Sequence, residues 1–258
     1  MKFPESERVR YSHNPLIEVI CQIRFPKILK IEVEPPVLFQ EAIRSQYPIF
    51  ASNRAIELPP LLDSEQNLPL KDKGLTHQFL DKEQKWKVAL ASDFLAISTQ
   101  EYRSWEEFRD RLCIAIELLI EHYSPSHWTR IGLRYLDLIT RSELNLGDYS
   151  WCDLIKPQLV GVFSSHEFME EDFVESLSTF ACKLGYQEAL IKVRHGLAQK
   201  SGSEELSYLI DSDFSTQLLT EINDVYELLD KFNREAGNFF RWCITERLQR
   251  SLQPEPIN

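Results

Sequence analysis

Glycine is scarce in this sequence, with 8 residues in a chain of 258. The glycine-rich patterns G-x-x-x-x-G-K-[ST] and G-x-G-x-x-G, which place backbone N–H groups around a phosphate, do not occur. The G-x-S-x-G turn that carries the nucleophile of many serine hydrolases is missing too. The sequence therefore predicts no cofactor and identifies no catalytic residue.

Patterns for metals and disulfides are also missing. The five cysteines are scattered without a C-x-x-C pair, and the six histidines show no H-x-x-x-H or H-E-x-x-H spacing. These absences argue against a zinc site, and an odd number of scattered cysteines is typical of a protein whose thiols stay reduced. We therefore expect no metal and a reducing compartment.

Long apolar segments and excess positive charge are absent as well. The N-terminus lacks the apolar stretch of a secretory signal, and no run approaches the roughly 20 apolar residues of a membrane helix. The net charge of −11 repels phosphate backbones and anionic lipids. We therefore expect a cytoplasmic protein with neither a membrane nor a nucleic acid as its partner.

What is present is a composition able to form a core, since 43% of the residues are hydrophobic. Alternating apolar and polar residues predict half-buried strands at 16–25, 75–80, 86–91, 94–99, 129–140, 174–184, 188–198 and 205–214. Apolar stripes at helical spacing predict helices at 104–123 and 220–252, with shorter helices near 34–47 and 151–157. Residues 51–74, with a possible edge strand, and 166–173 are predicted to be irregular.

The order of these elements is β-α-βββ-α, repeated once. We therefore predict an α+β fold of two similar halves, residues 1–126 and 127–258, in one compact unit. Each half would have an antiparallel sheet with helices packed on one face. The internal duplication is inferred from element order, because the letters of the two halves match poorly.

Five basic residues are the candidate ligand-binding residues. Arg130 and Arg134 lie on one face of the strand 129–140, on either side of Gly132, and two guanidinium groups so placed can hold a phosphate or carboxylate. The further candidates, from other strands, are Arg24, Arg194 and His195. The alternative is that the arginines pair across the sheet with acids, for which we considered Glu18, Glu32, Asp137 and Glu188.

Two further groups have alternative interpretations. Asp211 and Asp213, at the end of a strand, could bind a metal or transfer a proton, but no third ligand stands at a fixed spacing, so a polar strand end is favoured. The run Phe239-Phe240-Arg241-Trp242 cannot all face one way on a helix. Phe240 and Trp242 are therefore candidate partner-binding residues, with a second core contact as the alternative.

Several motifs together resemble a known family. They are Asn14-Pro15-Leu16-Ile17-Glu18-Val19 with Ile23-Arg24-Phe25, Tyr102-x-x-Trp105-x-x-Phe108, Arg130-Ile131-Gly132-Leu133-Arg134-Tyr135, and Ile244-Thr245-Glu246-Arg247-Leu248. The chain resembles a sporadically distributed family of uncharacterised prokaryotic proteins, in which an Asn often follows the Arg-Tyr pair where this chain has Leu136-Asp137. The resemblance implies a prokaryotic cytoplasmic protein from mobile or defence-associated loci, and it implies no activity.

These observations rank three functions. First is a non-enzymatic protein-binding or regulatory accessory module of a defence or toxin–antitoxin locus, whose partner is another protein or a second copy. Second is a sensor of a small anionic ligand or nucleotide, bound in a cleft between the halves by the arginines. Third is an undescribed hydrolase or nuclease, which only scattered acids and histidines support.

Overall fold

A computed structural model describes residues 3–54, 74–164, 172–199, 202–203 and 205–257. Within them the helices are α1 (Leu29–Val33), α2 (Val37–Ile43), α3 (Trp105–Tyr123), α4 (Trp151–Leu154), α5 (Pro157–Val160), α6 (Val225–Cys243) and α7 (Glu246–Ser251). The strands are β1 (Val9–Tyr11), β2 (Leu16–Arg24), β3 (Ile49–Arg54), β4 (Leu75–Leu80), β5 (Trp86–Ala91), β6 (Phe94–Thr99), β7 (Arg130–Ile139), β8 (Ser176–Lys183), β9 (Leu190–Gln199), β10 (Leu206–Thr216) and β11 (Pro254–Pro256).

Nine of these strands form a mostly antiparallel sheet in the order β3-β4-β5-β6-β2-β7-β10-β9-β8. The strands β1 and β11 form a separate antiparallel ribbon. The predicted α+β class is therefore confirmed. Strand β3 lies at the edge of the sheet and covers the start of segment 51–74, which we expected to be irregular with a possible edge strand. The rest of that segment, 55–73, lies outside the described residues.

By spatial contact the chain divides into two units. The first contains Met1–Ile17, Arg134–Phe214 and Asp230–Asn258, and the second contains Glu18–Leu133 and Ser215–Leu229. These boundaries cut through β2, β7, β10 and α6, so this partition differs from the halves 1–126 and 127–258. Those halves stay a prediction.

The second unit packs α2 and α3 onto the sheet face that carries Phe79 and Trp86. Phe39 of α2 contacts Phe79 with ring centres 5.6 Å apart, and Phe108 of α3 contacts Trp86 at 5.8 Å. Helix α3 begins where predicted, because the Ser104 side chain accepts a hydrogen bond from the Glu107 N–H group and caps the first turn. The apolar stripe of α3 is therefore fixed against the meander β4-β5-β6.

The first unit packs α4 and the Asp230–Cys243 part of α6 onto its strands. Phe232 and Phe239 of α6 both contact Phe214 of β10, with ring centres 6.4 Å apart in each pair. Trp151 of α4 contacts Tyr208 at 5.5 Å. The core of this unit is thus an aromatic layer between helices and sheet.

The predicted single helix 220–252 is wrong, because the chain leaves the helix after Cys243. The Cys243 carbonyl accepts a hydrogen bond from Lys156, and Thr245 donates its N–H to the Leu154 carbonyl. Thr245 then caps α7 by accepting from the Leu248 N–H group. Backbone pairing with a distant segment therefore replaces about one turn of helix, which no local periodicity reveals.

The other segment predicted to be irregular, 166–173, is only partly described, since residues 166–171 lie outside the described residues. Among the helices of the described part of the chain, none combines the length and apolar character needed to cross a membrane.

Candidate functional site

Arg134 of β7 makes a bidentate ion pair with Asp211 of β10. Its Nε and one terminal nitrogen donate to the two carboxylate oxygens, both at 2.7 Å. Asp211 is almost fully buried, and burial raises the pKa of its carboxyl group while Arg134 opposes that rise. Within the first unit, the candidate anion-binding Arg134 thus already holds a carboxylate belonging to the protein itself.

Arg194 and His195 belong to the same unit, but their side chains lie on opposite faces of β9. Arg194 lies 3.8 Å from Glu175, and its charge is the weakest of the influences on the pKa of Asp211, which pairs with Arg134. His195 is the next residue on β9 and therefore points to the opposite face. The structure does not bring its ring to the arginines.

His195 lies instead in the core, within hydrogen-bonding distance of Tyr208. Its Nδ1 is 3.0 Å from the Tyr208 hydroxyl, which donates to the Leu159 carbonyl, also at 3.0 Å. Since that hydroxyl proton goes to Leu159, Nδ1 is the donor to the Tyr208 oxygen. Burial lowers the pKa of His195, so the imidazole is neutral near pH 7 and serves packing.

Arg24 and Arg130 lie together in the second unit. Gln22 accepts from Arg24 Nε at 3.4 Å and from an Arg130 terminal nitrogen at 3.3 Å, and Arg24 also lies 3.7 Å from Asp93. A Cβ atom at Gly132 would collide with the Arg130 guanidinium, so the glycine leaves room for that group to fold over the strand. Sequence reasoning expected arginines paired with acids, but the acids found at Arg24, Arg134 and Arg194 are not the four that we named.

Asp137 is the buried polar residue that sequence reasoning placed least well. It is only 7% exposed and shares the buried face of β7 with Tyr135 and Ile139. Burial, reinforced by the charge of Asp211, raises the pKa of Asp137 to about 8. We had considered it as a partner for an arginine, yet the alternation of β7, which continues through position 137, already assigns it to the inner face.

Asp137 in turn influences two other buried groups. Burial raises the pKa of the Cys243 thiol, and Asp137 adds to that rise. Tyr11 is also affected, because burial raises the pKa of its hydroxyl group to about 12, with Arg241 opposing and Asp137 reinforcing. With a pKa of about 8, the Asp137 carboxyl group is mostly protonated at pH 7.

Phe240 and Trp242 of α6 are covered in part by the N-terminal segment. Tyr11 packs edge-on against Phe240 with ring centres 5.7 Å apart, and Phe3 lies 5.7 Å from Trp242. Both side chains are half-buried. The contacts resemble those of a second core layer, and the partner-binding role of these two residues stays a prediction.

A different apolar surface is open to solvent, and sequence reasoning missed it. In ten residues of the second unit, four aliphatic side chains are largely exposed: Leu29 (65%), Val33 (74%), Val37 (55%) and Leu38 (64%). We call these four residues the α1–α2 surface. The signal in the sequence was a segment with more aliphatic residues than a short helix can bury on one side.

Strand β3 at the edge of the sheet is connected to α1 and α2 through buried residues. Phe50 of β3 is 45% exposed and packs on Phe79, which also contacts Phe39 of α2. His77, stacked on Phe50, is 3.4 Å from the Ile31 carbonyl of α1. An exposed aromatic side chain on an edge strand therefore belongs to the same unit as the exposed aliphatic residues.

Among the described residues, no group of three or more histidine, cysteine, aspartate or glutamate side chains could hold a metal ion. Asp211 and Asp213 are therefore two carboxylates without a third ligand in that part of the chain. No protein-family model matches this chain, and no curated protein is similar enough to count as a relative. The resemblance described from the sequence motifs stays a prediction.

Proposed function

We propose that this chain is a non-enzymatic protein-binding module of accessory or regulatory type, which binds a basic partner protein through the α1–α2 surface. The observation that carries the proposal is the exposure of Leu29, Val33, Val37 and Leu38 within one short segment. Single exposed apolar residues are ordinary on protein surfaces, whereas a local group of them is typical of an interaction site.

The two short helices are well anchored, so the exposed side chains are presented by a firm support. Ile31 of α1 and both Phe39 and Ile43 of α2 are fully buried. Covering a large aliphatic side chain contributes roughly 1–3 kcal/mol. Four such side chains give a gross gain of the same order as the entropy lost on association.

Charge argues for a basic partner over a second copy of this chain. Two copies would each carry a net charge of −11 and repel each other. A partner with an amphipathic segment, apolar on one side and rich in lysine or arginine on the other, would gain both contact with the α1–α2 surface and electrostatic attraction.

The competing proposal, a sensor that binds a small anion through Arg24, Arg130, Arg134 and Arg194, is less well supported. A ligand at Arg134 would have to displace the Asp211 carboxylate from its bidentate ion pair. Asp211 would then be buried without a cationic partner. That loss costs about 3–5 kcal/mol before the ligand contributes anything. Protein binding requires no such rearrangement.

The duplication is part of the same proposal and is supported by the order of elements. Strand β2 would correspond to β7, the meander β4-β5-β6 to β8-β9-β10, and α3 to α6, both 19 residues long. With β3 set aside, the strand order β4-β5-β6-β2-β7-β10-β9-β8 reads the same from either edge under this correspondence. Strand β3, which carries Phe50, would then be an addition to the N-terminal half alone.

The test compares the wild-type chain with the double variant Val33→Asp/Leu38→Asp, each tagged and purified from cells that carry the gene naturally. Because both side chains are exposed, the melting temperature should be unchanged. We expect a basic protein to purify with the wild-type chain and not with the variant. Calorimetry with the purified partner should then show binding weakened at least tenfold, and weaker in both cases at higher salt.

The matched control is Val174→Asp, since Val174 is 83% exposed but lies in the first unit. It should bind the partner like the wild-type chain. Equal binding by the Val33/Leu38 variant would contradict the proposal, as would an acidic partner or a dimer of this chain at micromolar concentration. The link to a defence or toxin–antitoxin locus rests on the motif resemblance, and the identity of the adjacent genes tests it.

A further inference from the structure

A groove in the first unit lies between the turn that comes after β7 and helix α7. Its volume is about 630 Å³, within the range of sites that hold small organic ligands. The residues lining it that matter here are Asn145, Tyr149, Glu246, Arg247 and Arg250. None of them belongs to the α1–α2 surface, so a ligand site in this groove is independent of the proposed function.

The groove wall that carries Tyr149 is held in place by Arg141. One terminal nitrogen of Arg141 donates to the Tyr149 carbonyl at 2.7 Å, and its guanidinium lies over the Trp151 ring, 4.7 Å from the ring centre. Trp151 is fully buried. The turn is therefore tied to the core, and the Tyr149 ring is presented from a fixed backbone.

Arg247 is the basic residue best placed to bind a ligand in this groove. Its guanidinium carbon lies 4.1 Å from the centre of the Tyr149 ring, a stacked arrangement. Among the described residues no carboxylate pairs with it, whereas its neighbour Arg250 lies 3.1 Å from Glu246. Stacking orders the long side chain and leaves the edge of the guanidinium, which carries the N–H donors, open.

The charge of the groove is opposite to that of the whole chain. Two arginines and one glutamate line it, in a protein of net charge −11. The side-chain amide of Asn145, on the same wall as Tyr149, adds hydrogen-bonding capacity that the described residues do not use. An oriented guanidinium, a second arginine and an amide favour an anionic group with several acceptor oxygens.

We propose that this groove binds a small organic anion, which presents a phosphate or carboxylate group to the edge of Arg247. The groove is far larger than an inorganic phosphate ion, so a ligand of nucleotide size would fill it. This site uses none of the arginines that the sequence indicated as ligand-binding residues.

The test is calorimetric titration of the full chain with pyrophosphate, AMP, ATP and citrate at low salt. We expect at least one of them to bind with a dissociation constant below about 1 mM. Arg247→Gln should weaken that binding at least tenfold. Arg247→Lys should weaken it nearly as much, because lysine keeps the charge but loses the planar stack on Tyr149.

The matched control is Arg103→Gln, which removes the same charge from an exposed site in the second unit. It should bind like the wild-type chain. If pyrophosphate binds as tightly as ATP, the groove recognises the phosphate group alone, and if ATP binds more tightly, the rest of the nucleotide contributes. No binding by any of the four anions, or equal binding by Arg247→Gln, would overturn the proposal.

Discussion

Replacing Asp137 with asparagine should stabilise the protein increasingly as the pH rises. In the folded chain the pKa of Asp137 is about 8, against 3.8 for an exposed carboxyl group. Between those two values the folded state binds the proton and the unfolded state releases it. The free energy of unfolding therefore falls as the pH rises through this window and is constant below and above it.

The magnitude comes from the same two values. One group titrating in this way changes the free energy of unfolding by about 1.4 kcal/mol for each pH unit. Across the roughly three units from 3.8 to 7, the loss amounts to about 4 kcal/mol if Asp137 keeps its native surroundings. Asparagine keeps the shape of the neutral carboxyl group and cannot lose a proton, so the variant avoids this loss.

The assay is denaturant unfolding of the wild-type chain and of Asp137→Asn at pH values from 4 to 8. At each pH the free energy of unfolding of the wild-type chain is subtracted from that of the variant. The difference should be near zero at pH 4 and should grow steadily to pH 8. Asp148→Asn, at an exposed position, is the control and should give a flat difference. A flat difference for Asp137→Asn, or a variant less stable than the wild-type chain at every pH, would refute the reasoning.

Two further predictions concern packing in the first unit. Arg134→Leu leaves Asp211 buried without its cation and should cost about 3–5 kcal/mol of stability. The double variant Arg134→Leu/Asp211→Leu should recover much of that stability. Equal losses by the two variants in denaturant unfolding would contradict this prediction. Gly196→Ala should destabilise the protein strongly, because Gly196 has a positive φ of 136° and a Cβ atom there would collide with the Ser176 backbone. Gly237→Ala should instead stabilise it by about 1 kcal/mol, because a Cβ atom at this position of α6 meets open space. The melting temperatures of the two alanine variants should therefore shift in opposite directions, and a shift in the same direction would contradict this.

Local patterns predicted the elements of this fold well. The strand 129–140 differs from the observed Arg130–Ile139 by one residue at each end, because its apolar positions recur every second residue. The helix predicted at 104–123 begins at Trp105, and its cap, formed by Ser104 and the Glu107 N–H group, is a purely local signal. Where the structural determinants are close in sequence, the pattern is sufficient.

The wrong predictions concern features that depend on contacts between residues far apart in the sequence. The helix break after Cys243 depends on hydrogen bonds to Leu154 and Lys156, about 90 residues earlier in the chain, and its local sign is the Thr245 cap of α7. The choice of Asp211 as the partner of Arg134 depends in the same way on which strands become neighbours. Pairing of the arginines with acids was foreseeable from composition, but the identity of each acid required the sheet order.

The sequence indicated arginines, Phe240 and Trp242 as candidate binding residues, whereas the structure indicates the α1–α2 surface. The sequence singled out neither Val33 nor Leu38, because periodicity says which side of a helix is apolar and not whether a neighbour covers it. Only measured exposure separates an apolar surface that is packed from one that is open.

The most direct test of protein binding is site-specific photo-crosslinking in cells that carry the gene naturally, with a benzophenone amino acid placed at Val33 or at Val174. We predict one discrete crosslinked product, containing a basic protein, from position 33 and none from position 174. The same products from both positions, or none from position 33, would contradict protein binding through the α1–α2 surface.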